Sequence, residues 1–293
     1  MIKLKPLIIE SLRSTPISAE YMYSNLMSLS TIKDDAVNCI INKPIYRGLN
    51  GGEDIMMVDP SKYERVSLDG YNFYTLIIDN MDTWKDYPKR SRSIICASKT
   101  AAASSYGALY RVIPLNPQAK FGVCSKGDIW ISFNKQNFNS LSGVNGDFAY
   151  IANFIIQKTD IASSNHAELD LLKKIHKSNQ RNTEHISYDE LKWFLNFIDI
   201  NKIELSNYNV QSTLISKFIR EYFDVAGEES LLKLTEKALE PEDNGFSLVN
   251  YYDDAGWDHV NSHEVWTDSK CILIKLDYFT RNVDDILHNI RSL

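Results

Sequence analysis

Three short stretches of this sequence bring together residue types suited to holding an anionic, sugar-bearing ligand. The first is Tyr46-Arg47-Gly48. A guanidinium fork can hold a phosphate through two parallel hydrogen bonds, and the glycine beside it lets a ligand come close to the backbone. The same tripeptide also reads as a surface arginine next to a turn. The second stretch runs from Lys89 to Pro114, where Ser93 and Ser98 bracket a short apolar run that leads into an alanine-rich segment. Strand, serine, then helix sets hydroxyls at the mouth of a sheet, where they can orient a sugar or an amide. Ser98 could equally cap the helix that follows it. The third is Ser262-His263-Glu264-Val265-Trp266. A carboxylate opening an apolar strand can be held rigidly at a cleft edge, accept a hydrogen bond from a sugar hydroxyl and stabilise positive charge developing on that sugar. An exposed strand-end glutamate is the plainer alternative. His263 is a candidate local base, although alternation along a strand turns it to the other face.

These residues need elements to position them, and the texture of the chain suggests which. Residues 1–43 read as helical, and Pro44 stops that segment. From 44 to 158 strands dominate: IYRGL, YNFYTLII, RSIICAS, ALYRVIPL, FGVC and DIWISF are rich in β-branched and aromatic residues between Gly, Pro and Asn breakers. The helix KTAAASSYG interrupts them, ending at Gly107. FAYIANFIIQK is apolar throughout, so periodicity does not choose between helix and strand. Residues 159–240 change character, with apolar residues at helical spacing in HAELDLLKKIHKSN, SYDELKWFLNFIDI, QSTLISKFIREYF and ESLLKLTEKALE. SYDE has the form of an N-terminal capping box. Strand texture returns over 241–293 in GFSLVNYY and EVWTDSKCILIK, before a closing helix. Strands, a helical block, then strands again give an α+β protein.

Composition narrows the function classes. The 293 residues carry a formal charge of −6, which argues against a general nucleic-acid coat but leaves a local basic patch such as Lys89-Arg90-Ser91-Arg92 open. No apolar run approaches the ~18 residues of a membrane span, and no membrane partner is expected. The start of the chain lacks the long apolar core of a signal peptide. Cys39, Cys96, Cys124 and Cys271 are scattered, three of them inside apolar runs, the pattern of buried free thiols in a reducing cytoplasmic setting. No metal site is expected, because His166, His176 and His185 are too widely spaced and Asp253, Asp254 and Asp258 lack a regular oxygen-ligand loop. Trp193, Phe194, Phe197 and Phe223 read as helix-bundle core.

Taken in order, IYRGL, the serine-bearing strand with its following helix, and HEVWTDSKCILI resemble the Arg–Ser–Glu class of ADP-ribosyltransferases, in particular the ADP-ribosyltransferase-like proteins of large phages. The resemblance covers roughly 45–135 and 243–278. It implies a split β-sheet core, with residues 44–158 and 241–293 as its halves and 159–240 as an inserted helical block. It also implies NAD as substrate, cleavage of the nicotinamide–ribose bond, and a protein or nucleic-acid acceptor for the ADP-ribose. In that scheme Arg47 holds the NAD phosphates or the ribose near them, flanked by Tyr46 and Gly48. Ser93 or Ser98 braces the nicotinamide ribose and Glu264, and Glu264 favours the oxocarbenium-like state as nicotinamide leaves. Arg65 and Ser67 are candidates to line the same cleft. The chain departs from the family pattern twice. The Ser-Thr-Ser triplet aligns with Cys96-Ala97-Ser98, and Ser262 stands where arginine-modifying members have a second acidic residue. An NAD glycohydrolase, or a virion-associated binding protein that keeps the fold without turnover, are the alternatives.

Overall fold

The computed structural model describes residues 14–63, 73–124, 126–133, 141–158, 166–178, 185–207, 217–224, 229–253 and 264–292. It is an α+β protein whose chain divides into two compact units. One comprises residues 1–66, 86–129 and 245–293, the other 67–85 and 130–244.

The first unit holds a nine-stranded, wholly antiparallel sheet. Its strands are β1 (Ser14–Pro16), β2 (Tyr46–Leu49), β3 (Ile55–Val58), β4 (Ile94–Ala97), β5 (Ala108–Pro114), β6 (Lys120–Val123), β7 (Ser247–Asn250), β8 (Glu264–Thr267) and β9 (Cys271–Lys275). They lie in the order β1-β3-β9-β5-β2-β4-β8-β6-β7. Pairing along this order is uneven. β2 shares four register pairs with β5 and β4 shares four with β8, yet β2 and β4 meet at the single pair Tyr46↔Ala97. The sheet is therefore two ladders, of five and four strands, joined at one residue pair.

Helices α1 (Ala19–Leu26), α2 (Lys33–Asn42) and α12 (Leu276–Arg291) pack with these ladders. Met22, Leu26, Ile40, Ile286 and Ile290 join Val112, Val265, Leu273 and Ile274 in one continuous apolar core. The short helix α4 (Thr100–Ala103) lies against β2. Gly48 makes that possible, because a Cβ there would collide with the Ala103 carbonyl oxygen and approach the Tyr106 Cβ to 2.9 Å.

The second unit is helical: α3 (Phe73–Ile78), α6 (Leu141–Lys158), α7 (His166–Lys177), α8 (Tyr188–Ile200), α9 (Lys202–Asn207), α10 (Lys217–Asp224) and α11 (Leu231–Ala238), with α5 (Ile129–Ser132) at the boundary between units. Ser187 accepts from the Glu190 amide at 3.2 Å, and Glu190 Oε2 accepts from the Ser187 amide at 2.7 Å. This is the capping box expected from SYDE. Phe194 is fully buried, its ring 6.0 Å from that of Phe148, which in turn lies 5.4 Å from Phe73.

Several segments differ from the sequence expectation. In YNFYTLII, Phe73–Ile78 form the helix α3 rather than a strand. Phe73, Tyr74, Thr75, Ile77 and Ile78 are all buried, and a segment buried over most of its surface shows neither a helical nor a strand period. DIWISF holds the short helix α5 in place of a strand, and FAYIANFIIQK resolves to the helix α6. EVWTDSKCILIK is two strands: Asp268, Ser269 and Lys270 separate β8 from β9, and the two enter different ladders. Residues 14–16, read as part of a helical segment, form the edge strand β1 against β3. The four cysteines are free and buried, and no helix among the described residues is long and apolar enough to cross a membrane.

Candidate functional site

The strands carrying the three sequence motifs are consecutive neighbours in the sheet, in the order β2-β4-β8. Tyr46 pairs with Ala97 and Ala97 pairs with Glu264, so the motifs meet in one row across the joint between the ladders. Nothing in their order along the chain dictates this, since Glu264 follows Tyr46 by more than two hundred residues.

Glu264 is held from several directions. Its amide donates to the Gly127 carbonyl at 2.7 Å, and its carbonyl accepts from the Cys124 amide at 3.0 Å, which fixes the backbone at the mouth of β8. Its Oε1 accepts from Arg90 Nη2 at 2.5 Å, and the Cys124 thiol lies 3.7 Å from the same oxygen. No described residue bonds Oε2. The side chain keeps 16% of its exposure.

Arg90 is 2% exposed, and its guanidinium lies 5.0 Å from the Trp266 ring centroid. Trp266 is two residues from Glu264 on β8, so strand alternation sets both on one face. The indole is fixed in turn. Its Nε1 donates to the Pro88 carbonyl at 2.9 Å, Tyr87 stacks on it at 6.4 Å, and Phe246 meets it edge-on at 6.1 Å. Gly122, its partner on β6, carries no side chain because a Cβ would fall inside the indole. Ser93 is 1% exposed and donates to the Lys89 carbonyl at 2.6 Å, so its hydroxyl closes the turn that presents Arg90.

The remaining expected residues are distributed as follows. Arg47 lies one position along β2 from the Tyr46–Ala97–Glu264 row, paired with Tyr110, and alternation turns it to the face opposite Tyr46. It is buried, donates from Nη1 to the Ile95 carbonyl at 2.6 Å, and lies 6.0 Å from the Tyr106 ring centroid. Gly48 underlies α4. Ser98 is half-buried just beyond β4. The N-cap of α4 is Lys99, without a side-chain capping bond, so the capping role weighed for Ser98 falls away. Arg65, Ser67, Ser262 and His263 lie outside the described residues, as do Asp254 and Asp258. Among the described residues no cluster of His, Cys, Asp or Glu could hold a metal ion.

The row continues past Tyr46 to Arg111 on β5 and Ile274 on β9. Arg111 is 4% exposed, its guanidinium 5.4 Å from the ring centroids of both Tyr46 and Phe279. Nη1 donates to the Tyr46 hydroxyl at 3.3 Å. Burial pulls its pKa below the usual guanidinium value, opposed by the nearby Tyr251 and Tyr46 hydroxyls, and no carboxylate pairs with it among the described residues.

Comparison with protein-family models, curated proteins and solved structures gives no match. The chain's own geometry carries the argument.

Sequence reasoning did not single out Arg90, Cys124 or Trp266 as site residues. A signal for Trp266 was available, because the i, i+2 spacing of a strand sets it beside Glu264. Arg90 was visible only as one charge in the basic cluster of residues 89–92, and its contact with Glu264 spans 174 positions. Chain order gives no hint of it.

Proposed function

We propose that the chain is a mono-ADP-ribosyltransferase that cleaves the nicotinamide–ribose bond of NAD and transfers ADP-ribose to a macromolecular acceptor. The observation that carries the reading is the row Tyr46–Ala97–Glu264 at the one-pair joint of a nearly split sheet. Motifs that resemble a family by their order also meet in space, which a chance resemblance along the chain has no reason to produce. In the reaction the C1′–N bond breaks and its electron pair leaves with nicotinamide, neutralising the pyridinium. The ribose is left oxocarbenium-like, and an acceptor nucleophile adds to C1′ and loses its proton. Glu264 would accept a hydrogen bond from a ribose hydroxyl through Oε2, and its charge would favour the cationic sugar.

A second reading is a protein that keeps this architecture for binding without turnover. The engagement of Arg47 with the Ile95 carbonyl and the pairing of Glu264 with an alanine, Ala97, on β4 favour it. Nicotinamide release from NAD, measured with and without cell lysate, separates the two. The transferase reading expects release that lysate stimulates, and Glu264→Gln should lower turnover at least about a hundredfold, the scale of losing one electrostatic stabiliser. Release without stimulation would indicate a glycohydrolase. No release and no NAD binding would leave the binding-protein reading.

A further inference from the structure

We infer that Arg90 is a positioning residue for Glu264, fixing one carboxylate oxygen so that the other is presented to a ligand hydroxyl. The inference rests on the NAD-cleaving reading for its chemistry, but the pairing itself rests on geometry alone. Arg90 Nη2 holds Oε1 at 2.5 Å, while no described residue bonds Oε2. Arg90 cannot swing aside readily. It is 2% exposed, lies against an indole that is itself pinned by Pro88, Tyr87 and Phe246, and sits in a turn closed by the Ser93 hydroxyl. Planar stacking and a rigid donor fork are properties that guanidinium has and ammonium lacks.

The pairing also bears on what the site can take. With Oε1 taken by Arg90, the carboxylate has Oε2 left to turn to a ligand. It remains a directed acceptor for a hydroxyl donor, and the vicinal hydroxyls of a ribose are such donors. Arg90 therefore acts on the reaction through Glu264 and need not touch the substrate.

The test measures kcat for nicotinamide release and the dissociation constant for NAD in Arg90→Met and Arg90→Lys. The methionine variant should lose about a hundredfold in kcat with NAD affinity unchanged within about threefold, and lysine should recover about tenfold of that loss. In a Glu264→Gln background Arg90→Met should change kcat less than about threefold, because its effect passes through the carboxylate. A methionine variant with wild-type kcat overturns the assignment, as does an equal loss in both backgrounds. If the methionine variant does not fold, Arg90→Lys decides, and a kcat within about threefold of wild type overturns the role of the guanidinium.

Thermal melting gives a readout that needs no substrate. Glu264→Gln should lower the Tm of the wild-type protein, since it removes the carboxylate charge that faces the buried Arg90 guanidinium, but raise the Tm of Arg90→Met, where the carboxylate is the unmatched group. The same sign of change in both backgrounds overturns the pairing whatever the substrate. A wild-type protein indifferent to NAD, with the sign reversal intact, would sink the functional reading and leave the pairing standing.

Discussion

Arg90 and Arg111 are both almost fully buried, and the difference between them is what each one faces. Arg90 meets a carboxylate and an indole; Arg111 meets two aromatic rings and one neutral hydroxyl. A buried cation without a counter-charge is costly, and an apolar side chain of similar volume is often neutral or better in its place. Arg111→Met should therefore keep its Tm or gain a few degrees by calorimetry. A loss equivalent to more than about 3 kcal/mol would mean that the ring contacts and the Tyr46 bond outweigh the desolvation cost. Arg90→Met should lower the Tm, because it strands Glu264. The sequence shows each arginine as a charge beside an apolar strand, so neither environment is legible there. Glu264 and Trp266 are the exception, since alternation along one strand is a local property and placed them together. Ser93 was legible as a residue of consequence but not in its role, because its partner is a backbone carbonyl that no side-chain pattern records.

Local signals were most reliable where an element carries its own start and stop. The box at Ser187 and Glu190 opens α8 as its spacing predicts, and Gly107 ends the alanine-rich segment before β5. Apolar runs without a period were the weak points: α3 looks like a strand because five of its six residues are buried, and α5, at four residues, is too short to show a period. β8 and β9 look like one strand because a three-residue break is short beside the apolar residues that flank it. The capping box has a testable pH signature. Burial works to raise the Glu190 pKa, but the Lys174 ammonium at 2.6 Å and the Ser187 amide outweigh it and hold the carboxyl below its ordinary value of 4.5. A folded-state pKa depressed in this way contributes stability above about pH 4.5, which is lost as pH falls through the folded value. The helical unit should thus melt lower at pH 3.5 than at pH 7 by circular dichroism, and Glu190→Gln should reduce that difference. An unaltered pH dependence in the variant would show that other groups control it.

At the scale of the whole chain, the helical block was legible but its membership was not. Periodicity marks 159–240, whereas the compact unit also takes in 67–85 and begins at 130, because the apolar faces of α3 and α6 pack with those of α8. That unit is complete by Asn244, so a chain ending there should retain a cooperative helical melt while losing NAD binding. Loss of all cooperative melting would show that the helical unit depends on the rest of the chain. The sheet has the opposite character. β9 fills the slot between β3 and β5, and β8 the slot between β4 and β6, so the two latest of these nine strands in chain order occupy interior positions. Until residues 264–275 have left the ribosome, four strand edges stand open, and open edges recruit other chains. A nascent chain stalled short of residue 264 lacks Glu264 and has every reason to need a chaperone.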